Sequence, residues 1–219
     1  MLIVYPDNMP ELPEVETIAR GLDKRVAGDT VESVWIGSRQ QPLKSPAGII
    51  AATLEGKRIV RVHRAGKHIV FDLEGPIASR KATRRGAPLR EQAQWIVHLG
   101  MTGRMVVCEP SAEIVKHTHL VAKLASGREL RFTDPRMFGK LSVHTAGFDP
   151  GGVEPLEVTE TDFLKLFRGR KTPIKSALLN QKLLRGVGNI YADESLFRAG
   201  IRPRRREWPS LRPTSWPWR

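Results

Sequence analysis

The residues with the clearest capacity to take part in a reaction lie near the start of the chain. Methionine is removed before small residues such as proline, so a chain that begins at Met9 would carry Pro10 at its N-terminus. The ring nitrogen would then be a free secondary amine, which titrates near pH ~8 and can attack an electrophilic carbon. Glu11 and Glu14 place carboxylates beside that amine. If the chain instead begins at Met1, the same nitrogen is an amide and has no nucleophilic lone pair.

Two turn motifs place basic side chains where they could meet a ligand. Arg64-Ala-Gly-Lys-His68 leads into a predicted strand, and its Lys67 could hold a phosphate, donate a proton or lie exposed in the turn. Thr133-Asp-Pro-Arg-Met-Phe-Gly139 predicts a tight loop that projects Arg136 and Phe138. These two side chains could enter a base stack. A hairpin turn with Phe138 in the core is an equal alternative.

Two further motifs are weaker when taken alone. Gly186-Val-Gly-Asn-Ile-Tyr-Ala-Asp-Glu194 places Asn189 at a predicted helix start, where it could bind phosphate or act as a plain N-cap. Lys116-His-Thr-His119 lacks a carboxylate at a metal-ligand spacing, so no metal site is predicted there. His117 or His119 could contact a phosphate, although the motif taken alone slightly favours a packed or solvated histidine.

Charge and composition indicate a polyanionic partner. Basic residues exceed acidic ones by 13 in 219 residues, which favours nucleic acid. Much of this excess lies in two stretches: residues 75–92 hold five basic residues and one acidic, and residues 201–219 hold six arginines and one glutamate. No apolar run approaches the ~20 residues of a membrane span. The single cysteine, Cys108, excludes an internal disulfide.

Hydrophobic periodicity predicts a leading helix followed by a β-rich half. The helix fits Leu12 to about Val26, with Pro13 in its first turn and apolar residues at helical spacing. Eight strand-like runs follow, at 30–36, 58–63, 68–73, 95–99, 104–107, 119–125, 129–133 and 140–144. Short strands between glycine and proline signals predict an antiparallel sandwich or barrel. The basic stretch 75–92 reads as an inserted loop between two strands.

The period changes after a linker at 147–156. Helices are predicted at 160–167, 172–183 and 189–199, with Thr172 and Pro173 as cap and first turn of the second. The fold class is therefore α+β: a β-sandwich or barrel-like domain with a leading helix at 9–146, then a small helical domain at 157–201. Residues 1–8 are expected to be absent from the mature protein. Residues 202–219, with four prolines, are predicted to be a disordered basic tail.

Taken together and in this order, the motifs resemble the formamidopyrimidine-DNA glycosylase family, the Fpg/Nei group of base-excision repair enzymes. The opening Met9-Pro-Glu-Leu-Pro-Glu-Val-Glu-Thr17 resembles the purine-lesion branch. The resemblance runs from Met9 to about Ile201, and it identifies the helical segment with the family's helix–two-turns–helix module. The matching segments are 9–17, 65–67, 98–103, 133–136 with 138–139, 174–175 and 186–194.

The resemblance implies a bifunctional DNA glycosylase and AP lyase. Pro10 would attack C1′ of the damaged nucleotide, Glu11 would assist base loss, and Lys67 would bind a phosphate and serve in β-elimination. The expelled base would be an oxidised purine such as 8-oxoguanine or a formamidopyrimidine, after it has left the stack. The implied DNA contacts are Met101, Arg136 and Phe138 in the vacated space, with His117, Arg170, Lys171 and Asn189 on the kinked backbone.

The chain departs from the family's pattern in four places. Eight residues precede Met9, Met137 replaces the family's second arginine, and the stretch 75–92 looks like an insertion. After Ile201 the family's further helices and its zinc finger, with paired Cys-x-x-Cys sequences, have no counterpart. No metal and no cofactor are therefore expected in this truncated chain. Weak DNA affinity and little δ-elimination are expected for the same reason.

The implied partner is double-stranded DNA containing damaged bases. The chain is expected to act as a monomer in a bacterial-type cytoplasm, without a membrane. Two other functions remain open from the sequence. One is a catalytically inactive truncated relative that only binds damaged or kinked DNA. The other is an RNA- or ribosome-binding module that uses the basic tail as an arm.

Overall fold

The computed structural model describes residues 9–75, 92–145 and 147–206. The chain divides into two compact units, here called the β unit and the helical unit. The β unit comprises Met1–Arg64 and His68–Phe148, and the helical unit comprises Ala65–Lys67 and Asp149–Arg219. The predicted extension 1–8, almost all of the predicted loop 75–92 and most of the predicted tail lie outside the described residues.

The leading helix, α1, spans Leu12–Val26 as predicted. Pro13 occupies its first turn, where a missing N–H has no structural cost. The carboxylate of Glu14 accepts the backbone N–H of Glu11 at 3.0 Å, which satisfies a donor at the helix start. One apolar stripe faces the core of the β unit, formed by Leu12, Val15, Ala19, Leu22 and Val26.

Among the described residues of the β unit, two four-stranded sheets enclose the core. The strands are β1 Val31–Ile36, β2 Arg58–Ala65, β3 His68–Glu74, β4 Gln92–His98, β5 Arg104–Cys108, β6 Thr118–Leu124, β7 Glu129–Thr133 and β8 Lys140–His144. The first sheet has the order β1-β6-β7-β5 and the second has the order β2-β3-β4-β8. Buried side chains from both sheets and α1 form one cluster, in which the rings of Phe71 and Trp95 stack at 4.7 Å. The predicted fold class is confirmed.

One helix of the β unit was not predicted. α2 spans Ala47–Leu54 and contributes two fully buried side chains, Ile50 and Leu54, to the core. The segment is apolar except for Thr53, so no polar face reveals a helical period, and Pro46 at its N-cap offers no side-chain hydrogen bond. Packing against the sheets, rather than local sequence, therefore determines that this segment is helical.

Up to residue 206, where its description ends, the helical unit contains three short helices: α3 Glu160–Phe167, α4 Ile174–Leu178 and α5 Asn189–Arg198. The first and third agree with the prediction, and Thr159 caps α3 by accepting the N–H of Asp162 at 3.2 Å. The prediction was wrong for α4, which ends at Leu178 rather than at residue 183. Asn180 causes this end, because its side-chain oxygen accepts the N–H of Lys182 at 3.0 Å in a turn. Pro173, not Thr172, stands at the N-cap of α4.

Residues 202–206 were predicted to belong to a disordered tail, but they form hydrogen bonds with the start of α4 in the helical unit. The carbonyl oxygens of Arg205 and Pro203 accept the N–H groups of Ile174 and Lys175, at 2.9 and 3.3 Å. These are orphan donors at the start of α4, so this part of the predicted tail completes a helix end. Within the described ranges, no helix combines the length and the apolar character needed to cross a bilayer.

Candidate nucleic-acid interface

Pro10 and Glu11 lie at the start of α1. Pro10 is buried, and the side chain of Glu11 is only 3% exposed, whereas Met9 is 42% exposed. Glu11 has extended backbone angles at the N-cap position, where the partial positive charge of the helix end favours a carboxylate. A buried carboxylate next to a proline nitrogen suits acid–base chemistry at that nitrogen if the nitrogen is uncapped.

Helix α1 is attached to strand β2 by two carboxylates. Glu16 accepts the Nε–H of Arg64 at 2.8 Å, and Asp23 accepts the backbone N–H of Val62 at 2.7 Å. Partial burial acts to raise the pKa of Glu16, but the hydrogen bonds and charges of Arg20 and Arg64 outweigh it and the pKa is lowered. These bonds fix where α1 presents its N-terminal residues.

Lys67 lies in the turn of the β2–β3 hairpin and is half-buried. The preceding Gly66 has a φ of 61°, which is the left-handed region that a two-residue hairpin turn requires. A Cβ on Gly66 would lie 3.3 Å from Cβ of Arg185, so the turn packs closely within the helical unit. The predicted turn leading into a strand is confirmed, and the role of Lys67 remains a prediction.

The predicted DNA contacts Met101, Arg136 and Phe138 lie on two loops that run side by side. Residues 99–103 connect β4 to β5, and residues 134–139 connect β7 to β8. Each loop passes from one sheet to the other. Their ends are held in register, because His98 pairs with Lys140 in one sheet and Arg104 pairs with Thr133 in the other. We call these two segments the paired loops.

The backbones of the paired loops touch. Gly100 has a φ of 63°, and a Cβ at this position would lie 2.6 Å from the backbone of both Phe138 and Gly139. A Cβ on Gly139 would lie 2.6 Å from the ring of Phe132 and 3.0 Å from the carboxylate of Asp134. Glycine is therefore required at both positions for the loops to approach this closely.

A fully buried carboxylate organises the second loop. The two oxygens of Asp134 accept the hydroxyl of Thr102 at 2.5 Å and the N–H of Gly139 at 2.7 Å, with a longer bond from the N–H of Arg136 at 3.3 Å. The carbonyl of Asp134 is bonded to Nε2 of His119 at 2.9 Å. Burial of a charge is tolerated here because its oxygens are satisfied.

The tips of the paired loops display three different side chains. The guanidinium carbon of Arg136 lies 4.9 Å above the ring centroid of Phe138, and Phe138 is 50% exposed. The alternative that put Phe138 in the core is therefore wrong. Met101 is half-buried on the neighbouring loop. We call Met101, Arg136 and Phe138 the wedge; together they place one cation and two apolar side chains on adjacent loops.

The two histidines of the 116–119 motif have different environments. His119 is buried and supports Asp134, which settles the alternatives for this residue in favour of a packed histidine. His117 is half-buried with a φ of 69°, and its carbonyl accepts the N–H of Asp134 at 3.0 Å. His117 therefore adjoins the loop that carries Arg136 and Phe138, and its contact with DNA remains a prediction.

Asn189 is exposed at the first position of α5, behind the glycine turn 186–188. Gly188, not Asn189, is the N-cap. The side chain of Gln181 braces this turn: its oxygen accepts the N–H of Gly186 at 2.9 Å, and its nitrogen donates to Leu179 and Val187 at 2.9 and 2.8 Å. The helix start combines the partial positive charge of a helix N-terminus with the exposed amide of Asn189, which suits an anion.

Arg170 and Lys171 are exposed just beyond the end of α3. Nε of Arg170 donates to the carbonyl of Leu166 at 2.6 Å, which fixes the base of the guanidinium at the helix C-terminus. Their position in the helical unit is compatible with a phosphate contact. That role remains a prediction.

Within the residues that the structure describes, no group of three or more histidine, cysteine or acidic side chains is arranged to hold a metal ion. Burial raises the pKa of the Cys108 thiol, against a smaller opposite effect of Arg131. Cys108 is therefore a protonated thiol near neutral pH.

Sequence reasoning missed the supports of the wedge. The sequence alone does not indicate that Asp134 contacts Thr102 and His119. Thr102 and Asp134 lie 32 positions apart and meet only through strand register. The one available signal was Asp134-Pro135, which marks a turn but does not reveal a buried carboxylate.

A two-sheet unit with a leading Pro-Glu helix, followed by a helical unit with a glycine turn, defines the class of the Fpg/Nei DNA-repair glycosylases. Residues 9–141 match the model of the formamidopyrimidine-DNA glycosylase N-terminal domain, and residues 152–209 match the model of the H2TH domain of the same enzymes. The chain belongs to the formamidopyrimidine-DNA glycosylase family. The second match continues to residue 209, beyond the limit near Ile201 that the motifs indicated.

Named relatives agree with this placement. The formamidopyrimidine-DNA glycosylase of Symbiobacterium thermophilum is 41% identical over 214 residues, which cover 94% of this chain and 64% of that protein. The enzyme of Alteromonas mediterranea is 35% identical, covering 90% of this chain and 69% of that protein. The chain thus spans about two thirds of the length of these relatives.

Solved structures show the same fold. The complex of Lactococcus lactis Fpg with DNA containing an abasic site has a TM-score of 0.77 and 30% identity, and it covers 94% of this chain and 72% of that one. Its complex with DNA containing N7-benzyl-Fapy-dG gives a TM-score of 0.76 and 30% identity over 94% of this chain. The likeness includes both the β unit and the helical unit.

Proposed function

We propose that this protein is a bifunctional DNA glycosylase and AP lyase that excises oxidised purines, namely 8-oxoguanine and formamidopyrimidines, in base-excision repair. One observation carries the proposal. The match to the family's N-terminal domain begins at residue 9, so the family's start coincides with Met9 and Pro10. Removal of Met9 from a chain begun there would leave the Pro10 amine free.

The proposed chemistry begins at that amine. The nitrogen of Pro10 forms a bond to C1′ of the damaged nucleotide, and the N-glycosidic bond breaks as the base leaves with the electron pair. Glu11 donates the proton that assists ring opening and base loss. The resulting iminium makes the C2′ proton acidic, so its removal expels the 3′ phosphate in β-elimination. Lys67 binds a phosphate near the lesion and serves in this second step.

The wedge explains how a base inside a duplex reaches the amine. Extrusion of a nucleotide costs a few kcal/mol and leaves a gap in the stack. Met101 and Phe138 supply apolar surface for that gap, and Arg136 supplies a cation over the ring of Phe138. Side chains inserted between base steps also kink the duplex.

The helical unit and His117 supply the proposed grip on the DNA backbone. The N-terminus of α5 with Asn189 offers donors to one phosphate, and Arg170 and Lys171 offer positive charge. The partner is double-stranded DNA with damaged bases, consistent with an excess of 13 basic residues. We propose that the chain acts on DNA in the cytoplasm as a monomer and without a metal or cofactor.

A catalytically inactive DNA-binding relative is the second candidate. The observation that favours it is that eight residues precede Met9 in the sequence. With these residues present, the Pro10 nitrogen is part of a peptide bond and cannot form an iminium. Both halves of the chain match DNA glycosylase domain models, which favours DNA over RNA or the ribosome as the partner.

Borohydride trapping separates the two candidates. Two forms of the chain are compared on a duplex with one 8-oxoguanine: the sequence from Met1, and the same sequence from Pro10, each verified by N-terminal mass. We expect a covalent protein–DNA adduct only with the form that starts at Pro10, and its loss in Glu11→Gln for intact lesions. A verified Pro10 form that binds the duplex but gives no adduct would leave only the inactive candidate.

A further inference from the structure

The paired loops are joined by a side-chain hydrogen bond as well as by backbone contact. The hydroxyl of Thr102, on the loop that carries Met101, donates to Asp134 at 2.5 Å. Asp134 begins the loop that carries Arg136 and Phe138. This bond therefore links the two loops that together form the wedge.

The other hydrogen bonds of Asp134 join it to residues of its own loop or to the histidines in and just before strand β6. Its carboxylate accepts the N–H groups of Gly139 and Arg136, and its carbonyl is bonded to His119. These bonds shape the loop 134–139 but do not fix it to the loop 99–103. Thr102 adds that connection, and its oxygen is also 3.3 Å from the N–H of Arg136.

We propose that Thr102 is a positioning residue: its bond to Asp134 locks the paired loops together, so that Met101, Arg136 and Phe138 enter DNA as one preformed wedge. This inference rests on the proposed function. Without the bond, only strand register and the close backbone contact at Gly100 join the two loops, so their tips must be ordered further when DNA binds. That ordering slows insertion, because the conformational entropy is lost at the moment of binding.

Insertion can be followed apart from chemistry. A duplex carries a stable abasic-site analogue flanked by 2-aminopurine, whose fluorescence rises when the neighbouring stack is opened. Stopped-flow mixing with the full chain gives the insertion rate. We expect Thr102→Val to slow insertion about tenfold, in line with a lost hydrogen bond to a charged group. Thr102→Ser keeps the hydroxyl and should remain within about twofold of wild type.

Two controls distinguish positioning from loss of fold. Thr53→Val removes a hydroxyl that donates to the carbonyl of Ile49 in α2, away from the paired loops, and should not change the insertion rate. Thr102→Ala must slow insertion as Thr102→Val does, since it removes the same hydroxyl without placing a methyl group against Asp134. A merely structural role would lower the amplitude of the signal, through fewer folded molecules, and leave its rate unchanged.

The outcomes separate this inference from the function on which it rests. Wild-type rates for Thr102→Val, or equal slowing by Thr102→Ser, would overturn the positioning role while the proposed function stands. No fluorescence change with the wild-type chain, at a concentration that saturates binding, would instead remove lesion recognition itself. Slowing by both hydroxyl-free variants, with rescue by serine, supports the inference.

Discussion

The paired loops of the β unit and the glycine turn of the helical unit are held by opposite kinds of side chain. A fully buried carboxylate, Asp134, organises the first. An exposed neutral amide, Gln181, braces the second through three hydrogen bonds of 2.8–2.9 Å. Both supports satisfy backbone groups in glycine-containing segments, so the difference lies in charge and burial.

The difference follows from what each segment is proposed to meet. The start of α5 with Asn189 is proposed to meet a phosphate, and a carboxylate beside it would repel the anion. An amide can brace the turn without adding charge. The wedge instead needs rigidity against an opposing base stack. A carboxylate gives stronger hydrogen bonds than an amide, and full burial keeps Asp134 away from the DNA surface.

The largest expected effect comes from removing the buried carboxylate. Asp134→Ala leaves the N–H of Gly139 and the hydroxyl of Thr102 without their acceptor in a buried site. We expect a loss of about 3 kcal/mol in the stability of the β unit. Hydrogen exchange of the β4 and β8 amides measures this loss, and exposed Asp149→Ala is the control. A loss below about 1 kcal/mol would show that the carboxylate is not the main support of the loop.

Two neighbouring glycines provide a matched test of close backbone packing in the helical unit. Gly151 and Gly152 have φ values of 73° and 70°, but a Cβ on Gly152 would clash with the carbonyl oxygen of Gln181, whereas Gly151 faces open space. Gly151→Ala should cost about 1–2 kcal/mol for the left-handed backbone alone. Gly152→Ala should cost more, because the clash displaces the residue that braces the turn. Thermal unfolding of both variants checks this, and equal losses would contradict the close approach.

A smaller effect is expected from the neutral brace itself. Gln181→Ala removes three hydrogen bonds at an exposed site, where water replaces them, so the helical unit should lose about 1 kcal/mol. Affinity for undamaged duplex should fall only slightly. Gln181→Glu should weaken binding further and increase its sensitivity to salt, since a negative charge then adjoins the proposed phosphate site. Exposed Lys182→Ala controls for loss of one ordinary basic charge, and fluorescence anisotropy at several salt concentrations measures all three.

Local sequence was sufficient where one pattern decided the structure. Helix α1 followed from its apolar stripe, and strands such as β7 followed from short runs of alternating polar and apolar residues between turn residues. Local sequence was misleading where a side chain competes with the backbone for hydrogen bonds. Leu179 and Leu183 continue the helical spacing of α4, but the turn at Asn180 ends the helix before them. Such competition depends on single hydrogen bonds, which periodicity does not report.

The candidate site shows the same division. Pro10, Lys67 and Phe138 could be selected in the sequence because their types and neighbours indicate chemistry or a turn. The supports could not, since the contact between Thr102 and Asp134 is created by the pairing of β5 with β7 and of β4 with β8. Only the register of two sheets brings these residues together.

The smallest expected effect concerns how α1 is attached, and it depends on pH. The pKa of Glu16 is lowered in the folded protein from its usual value of 4.5, against the effect of partial burial, by Arg20 and Arg64. A lowered folded pKa stabilises the protein above the unfolded pKa, and this stabilisation disappears as the pH falls through the folded value. Glu16→Gln should therefore cost about 0.5–1 kcal/mol near neutral pH and almost nothing once Glu16 is protonated in both states.

Urea unfolding of wild type and Glu16→Gln across this range measures the difference, and exposed Glu32→Gln on β1 serves as the control. High salt should reduce the neutral-pH difference, since part of it is an ion pair with 28% of the Glu16 side chain exposed. A difference that persists unchanged in acid would mean that Glu16 acts through packing rather than charge. The attachment of α1, which follows Pro10 and Glu11, would then not depend on the charge of Glu16.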